Sequence, residues 1–245
     1  MELIHLATFL VALLSCFLSG LAGGGGSYIT SPYWLLIGMS PAESGTTGNF
    51  MGIGLGASSL IALRKADHYP QNNRLTIVLT IVTVIASIIG ALVLSHIDIK
   101  SFKSTLAIIT ILSIPLLFID RRKITLSKRH RMIGIIALVI LLIASSIIAS
   151  SAFSVLIAVG LSQLFDQTIL ESTALRRLIS LIQSVLIFVI LATQGNLLLF
   201  HAVLAFLGGS IGSYLGTRFA IKRGEGFAKY ALAVGAFVGA IALLW

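Results

Sequence analysis

Charged residues are scarce in this chain, and their scarcity excludes most soluble folds. Of 245 residues, only 10% are Asp, Glu, Lys or Arg, whereas 57% are hydrophobic. The mean hydropathy is +1.06. Soluble domains carry roughly 25% charged residues, because their surfaces face water. The chain therefore does not have the composition of a water-soluble domain.

The sequence has a single cysteine and lacks the common catalytic motifs. Cys16 is the only cysteine, so no disulfide forms within the chain. No residues have metal-ligand spacing, and the glycine run lacks the Lys-Ser/Thr of a phosphate-binding loop. A buried pair of nucleophile and base is not seen either. We therefore expect no metal, no cofactor, no ATP-driven transport by this chain alone and no enzymatic activity.

Long uncharged runs fill most of the sequence. Six runs contain no Asp, Glu, Lys or Arg, and His201 is their only histidine. The runs are residues 6–42, 75–95, 104–119, 132–165, 178–217 and 230–245. About 20 apolar residues cross the hydrocarbon core as a helix, so each run holds one or two spans. Alternation with a period of two, typical of a membrane barrel, is absent. The sequence predicts an all-α protein that crosses the lipid bilayer several times.

The predicted helices form two similar series. The first comprises residues 3–21, 27–37, 44–63, 75–95 and 102–119, and the second comprises 132–149, 152–164, 173–192, 197–218 and 227–244. Each series has one helix, a break, a short helix and three long helices. Glu43-Ser44 precedes the third helix of the first series, and Glu171-Ser172 precedes its counterpart. We predict two transmembrane repeats, 1–120 and 132–245, joined by a basic linker, 121–131.

The net charge of +9 comes from Lys and Arg between the apolar runs. Three basic segments, residues 64–74, 121–131 and 218–229, belong in the cytoplasm by the positive-inside rule. That assignment is favoured over nucleic-acid binding, which we do not expect. Each half then makes an odd number of crossings, so the repeats are inverted and both termini are external. Inverted repeats with broken helices are typical of secondary transporters.

A run of four glycines interrupts the first helix at membrane depth. The run comprises Gly23, Gly24, Gly25 and Gly26, and Ser27 is positioned to cap the short helix that follows. Exposed backbone N–H groups and a helix N-terminus attract anions. We interpret these five residues as half of a site for a small anion. A tight turn at the membrane interface is the alternative.

Polar residues in three other places are candidates for the same site. Thr46, Thr47 and Asn49 are potential donors, although Ser44 and Thr46 also suit the start of a helix. Glu43 suits either proton coupling or a helix N-terminus, and the second is favoured.

The second half offers serine and arginine side chains to the site. Ser150 and Ser151 occupy its break, where inverted symmetry brings them toward the glycines. Arg176 or Arg177 is either a fixed positive charge for the anion or an anchor at the cytoplasmic interface. His201 is interpreted as a packing histidine, since no acid is near it in sequence.

Glycines recur every four residues in two of the predicted helices, at 48, 52 and 56 and at 208, 212 and 216. This spacing puts them on one helix face, where backbones approach closely. Close helix packing is the favoured interpretation, and a sliding surface is the alternative.

The segment 17–52, FLSGLAGGGGSYITSPYWLLIGMSPAESGTTGNFMG, resembles the sulfite exporter TauE/SafE family. The resemblance implies a secondary transporter of the bacterial inner membrane for sulfite, thiosulfate or organosulfonates. The chain departs from the family in its second break, which reads Ser150-Ser151-Ala152-Phe153 instead of a glycine run. A non-transporting scaffold and a membrane enzyme remain the alternatives, and the sequence leaves open whether the chain forms a homo-oligomer.

The charge distribution gives a test of topology. We predict that a reporter inserted in residues 121–131 is active on the cytoplasmic side, because this segment is the most basic one. A reporter in the uncharged loop 193–196 is expected outside. External activity of the first fusion would contradict the inverted arrangement.

Overall fold

The computed structural model describes residues 2–67, 73–94, 128–147 and 169–223, with isolated residues between and beyond them. These segments contain helices and no strand. The helices are α1 (Glu2–Ala22), α2 (Ser27–Leu36), α3 (Pro41–Arg64), α4 (Asn73–Leu94), α5 (Lys128–Ile147), α6 (Ile169–Thr193) and α7 (Leu199–Arg223). The predicted helices 102–119, 152–164 and 227–244 fall almost wholly outside the described residues.

Four of the described helices are long and apolar enough to cross a membrane. They are the segments Leu3–Leu21, Thr76–Leu94, Glu171–Thr193 and Leu199–Lys222. Large aliphatic side chains on their outer faces are exposed, which suits lipid rather than water. The prediction of an all-α, multi-pass membrane protein is confirmed.

Helix α3 begins three residues earlier than the sequence predicts, because Ser40 rather than Ser44 is its N-cap. Ser40 Oγ accepts from the backbone N–H of Glu43 at 3.2 Å, and Glu43 Oε2 accepts from the N–H of Ser40 at 2.8 Å. This reciprocal pair is a capping box, and Pro41 occupies the first helical position. The carboxylate of Glu43 therefore serves the helix start. Helix α5 starts at Lys128, so the last four residues of the predicted basic linker are helical.

The glycine break lies where the sequence predicts it. Helix α1 ends at Ala22, and Gly23 and Gly25 have φ angles of +76° and +92°, which L side chains adopt only at a cost. Helix α2 starts at Ser27 with Gly26 as its N-cap and without a side-chain cap hydrogen bond. The expectation that Ser27 caps α2 is therefore wrong.

Helix α2 brings the chain back along α1. The hydroxyl of Tyr33 lies 3.1 Å from Thr8 Oγ1 and donates to the carbonyl oxygen of Ile4 at 3.3 Å. The end of α2 is thus beside the beginning of α1. Helix α3 consequently starts on the side from which α1 started, as the parity of the predicted crossings requires.

Helices α1 and α7 run parallel and touch at glycines. A Cβ added to Gly208 would lie 2.5 Å from the carbonyl oxygen of Phe9, and one added to Gly216 would lie 3.0 Å from the Cα of Phe17. One added to Gly212 would meet the carbonyl oxygen of Leu13. The glycine spacing therefore serves close packing of two backbones.

Helices α3 and α7 are also parallel, and hydroxyl groups join them. Ser59 Oγ lies 2.6 Å from Ser213 Oγ and 2.9 Å from Thr217 Oγ1, and Ser213 Oγ donates to the carbonyl oxygen of Leu55 at 3.0 Å. All three hydroxyl side chains are buried. Since hydroxyls buried in apolar surroundings need partners, this cluster fixes α3 against α7.

Helices α3 and α6 run in opposite directions. Added Cβ atoms at Gly45, Gly52 and Gly56 would contact Leu191, Ser184 and Leu181, in descending order along α6. The remaining major contacts join α4 to α6 and α4 to α5. The packing order is thus α1–α7–α3–α6–α4–α5. If α1 is exchanged with α5, α3 with α6 and α4 with α7, the same order results, read from the other end.

The close contact of α7 with α1 predicts a loss of stability when a glycine in it is replaced by a larger residue. We predict that Gly212→Val destabilises the protein by about 3 kcal/mol, since its Cβ meets backbone atoms that cannot move aside. Cys16 is fully buried, so its reaction with a maleimide during heating reports unfolding.

The matched control is Ile211→Val, next in sequence but 47% exposed. We expect no measurable change in its unfolding temperature. Equal unfolding temperatures for the two variants would contradict the close approach of α1 and α7.

Candidate functional site

A cavity of about 100 Å³ lies between the middles of α3 and α6, with the α1–α2 break on one side. One water molecule needs roughly 10–15 Å³ by this measure, so the cavity has room for a small polyatomic ion. Its polar lining comprises Ser19, Ser27, Thr30, Ser31, Ser44, Asn49, Arg176, Arg177, Ser180, Gln183 and Ser184. Its apolar lining comprises Met51, Leu55, Leu142, Ile157 and Ile179.

Two arginines supply the charge of this cavity. Arg176 and Arg177 are 5% and 2% exposed, and both line it. The Nε–H of each lacks an acceptor, and no carboxylate among the described lining residues faces them. Burying a charge without a partner costs several kcal/mol. The cavity is therefore strongly electropositive and lacks a protein counter-charge within the described part of the chain.

Arg177 is held by the end of α1. Its Nη2 donates to the carbonyl oxygen of Ser19 at 2.7 Å and to Ser19 Oγ at 3.3 Å. This contact joins α6 to the last turn of the interrupted helix. Since Arg177 carries several N–H donors, it can hold Ser19 and still offer others to a bound group.

The face of α3 that lines the cavity carries little side-chain bulk. Gly45, Gly48 and Gly52 are on this face, together with Ser44 and Asn49. The amide nitrogen of Asn49 donates to the carbonyl oxygen of Gly45 at 2.7 Å. Of these glycines, Gly48 leaves free space at the cavity. A Cβ at Gly48 would have its nearest neighbour, Trp34 Nε1, 4.0 Å away.

The structure brings four of the predicted site residues together. Gly26, Ser27, Asn49 and Arg176 line the cavity. The other predicted residues that the structure describes do not line it, namely Gly23, Gly24, Gly25, Thr46 and Thr47. Ser150 and Ser151 lie outside the described residues.

The two threonines have other surroundings. Thr46 Oγ1 donates to the carbonyl oxygen of Ala42 at 2.8 Å within α3. Thr47 is buried, and its hydroxyl has no hydrogen-bond partner. Gly23 lies beside Thr173, since its added Cβ would be 3.3 Å from Thr173 Oγ1. Of the four glycines that are predicted to offer backbone N–H groups to the site, only Gly26, at the start of α2, therefore lies at the cavity.

The sequence leaves Arg176 and Arg177 as alternatives, but both line the cavity. Ser180 and Ser184 of α6, which are not among the predicted site residues, line it as well. A signal was present in the sequence: Arg176, Ser180 and Ser184 recur every four residues, which is one face of a helix. Polar groups on one face of a membrane helix point to protein or water rather than to lipid.

Some of the residues that line the cavity are 128 positions apart in the sequence. Gly48 and Asn49 precede Arg176 and Arg177 by this spacing, which is also the spacing of Glu43-Ser44 and Glu171-Ser172. Where the first half carries Gly and Asn, the second carries two cations. All charge of the cavity lining therefore comes from the second half.

Metal-ligating residues do not cluster in the described part of the chain. No group of three or more His, Cys, Asp or Glu side chains is positioned there to hold a metal ion. His201 packs against His5, with ring centroids 5.2 Å apart, at the beginnings of α7 and α1. This contact agrees with the interpretation of His201 as a packing residue.

Comparison with known proteins adds a family to this geometry. The family model described as sulfite exporter TauE/SafE matches residues 8–243, almost the whole chain. No curated protein and no solved structure matches the chain. The family is one of membrane transporters, in agreement with the four apolar helices of spanning length. The chain is a multi-pass membrane protein that belongs to the sulfite exporter TauE/SafE family.

Proposed function

We propose that this protein carries a small sulfur-containing anion, such as sulfite, thiosulfate or an organosulfonate, across the bacterial inner membrane. The anion binds in the cavity between α3 and α6, between Arg176 and Arg177. The observation that carries this proposal is the pair of buried guanidinium groups without a carboxylate in the described cavity lining.

A bound anion supplies the missing counter-charge. Guanidinium groups donate hydrogen bonds in a planar fork that matches two oxygens of an oxyanion. The serine hydroxyls around the cavity, such as Ser180 and Ser44, are suited to donate to further oxygens. The apolar side, with Met51 and Ile179, leaves room for a sulfur atom or a short carbon substituent. A scaffold without a substrate would leave this charge uncompensated.

The helix directions support inverted repeats. Helices α3 and α6 hold equivalent places in the two predicted repeats, and they run in opposite directions. The packing order α1–α7–α3–α6–α4–α5 has the symmetry of such a duplication. With the basic segments in the cytoplasm, each repeat crosses the membrane an odd number of times.

The packing also indicates which helices move together during alternating access. Helix α7 of the second repeat is joined to α1 and α3 of the first by glycines and by the Ser59–Ser213–Thr217 hydroxyl cluster. Helix α4 of the first repeat packs on α5 and α6 of the second. The two moving groups are thus α1–α2–α3–α7 and α4–α5–α6. Their boundary is the α3–α6 contact, which contains the cavity.

Arg177 links the two groups. It belongs to α6 but donates to Ser19 of α1 across the boundary. The side chain that binds the anion therefore also holds α6 against α1, and anion binding is coupled to the contact that joins the two groups.

Transport assays on the reconstituted protein test the site. We predict that Arg176→Gln lowers the flux of labelled sulfite, thiosulfate or a small sulfonate into proteoliposomes by roughly 10–100-fold, the effect of one lost charged hydrogen bond. Arg176→Lys keeps the positive charge but loses the planar guanidinium group, so its flux should fall between those of the unmodified protein and Arg176→Gln.

The matched control is Arg64→Gln, which removes an exposed arginine at the end of α3. Its flux should equal that of the unmodified protein. Normal flux in both Arg176→Gln and Arg177→Gln would remove these arginines from the site. Absence of flux for all three substrates in the unmodified protein would contradict the proposed substrate class.

A further inference from the structure

A second cavity lies away from the transport site, where α3 and α7 end. It has a volume of about 260 Å³ and is lined by Ala62, Lys65, Ala66, Tyr214, Arg218, Ile221 and Lys222. Because α3 and α7 run parallel, their C-terminal ends meet at one face of the protein. Both ends lead into the basic segments that are predicted to be cytoplasmic.

Three cations converge on this cavity. Lys65, Arg218 and Lys222 line it, and no carboxylate of the described residues does so. The guanidinium carbon of Arg218 lies 5.6 Å from the centre of the Tyr214 ring, which holds the arginine beside the cavity.

The helix ends offset only part of this charge. Each helix C-terminus carries about half a negative charge, so two ends offset about one of the three cations. Mutual repulsion of the remaining charge is relieved by a bound anion. The cations alone would also suit simple anchoring at the interface, but anchors do not require a shared concavity.

Exposed apolar side chains lead from the cavity into the membrane. Ile61 is one turn before Lys65 on α3, and Ile211 and Leu215 precede Arg218 by seven and three residues on α7. Residues at such spacings share a helix face. A ligand with a negatively charged head at the cavity and apolar chains along this face matches both features.

We propose that this cavity binds the headgroup of an anionic phospholipid from the cytoplasmic leaflet. Lys65, Arg218 and Lys222 contact the phosphodiester oxygens, and the acyl chains lie along Ile61 and Leu215. Basic pockets between membrane helices are suited to this ligand class. The bound lipid bridges the ends of α3 and α7.

Native mass spectrometry of the full-length protein tests the proposal. Protein released from nanodiscs that contain equal amounts of phosphatidylglycerol and phosphatidylcholine should retain phosphatidylglycerol preferentially. One cation near an anionic lipid contributes about fivefold in affinity, so the triple variant Lys65→Gln/Arg218→Gln/Lys222→Gln should lose on the order of 100-fold. The single variant Lys65→Gln, at an exposed helix end, should lose about fivefold.

Two controls keep the result unambiguous. Arg121→Gln/Arg122→Gln/Lys123→Gln removes the same charge from the basic linker and should retain the lipid. Protection of Cys16 from maleimide shows that each variant is folded. Equal retention of both lipids by the unmodified protein, or unchanged retention in the triple and single variants, would overturn the proposal. Displacement of the lipid by millimolar inorganic phosphate would overturn it too, because the site would then recognise free phosphate.

Discussion

Burial of two positive charges in an apolar helical protein is the constraint on which the account of this molecule depends. Arg176 and Arg177 lie about two turns after the start of α6 at Ile169, almost without exposure, and each has an Nε–H without an acceptor. The unfavourable free energy of such burial is several kcal/mol per ion. A protein keeps such groups where a negatively charged ligand periodically offsets that free energy, as ionisable residues within membranes generally mark substrate pathways.

The surrounding architecture is arranged around these charges. Gly48 on α3 leaves free space at the cavity, whereas the glycines on α7 let the backbones of α7 and α1 approach closely. The same residue type therefore opens a cavity at one contact and closes another. Ser19 ties Arg177 to the end of the broken helix, so that the break, the cavity and the boundary between helix groups meet at one hydrogen bond. The basic cavity at the ends of α3 and α7 lies within one of the proposed groups and away from their boundary.

The sequence predicts the helices and the break well, because both follow from local properties. Apolar runs of spanning length and four consecutive glycines need no tertiary information. The site is harder, since it depends on helix rotation. Thr47 is two residues from Asn49, which is about 200° around the helix, and the hydroxyl of Thr46 donates to the carbonyl oxygen of Ala42. Of these three residues, only Asn49 lines the cavity. Gly23 and Gly25 shape the turn, and only Gly26 reaches the cavity, which depends on where α6 packs.

Water access to the arginine cavity is the most direct test of this account. Ser180 lines the cavity on α6, one turn after Arg176, and the buried Cys16 makes the unmodified protein a blank for thiol labelling. A water-soluble, membrane-impermeant thiol reagent should modify Ser180→Cys in reconstituted protein, and sulfite or another transported anion should slow the reaction. Complete protection of this cysteine from both sides of the membrane would contradict a binding site for a solute at Arg176 and Arg177.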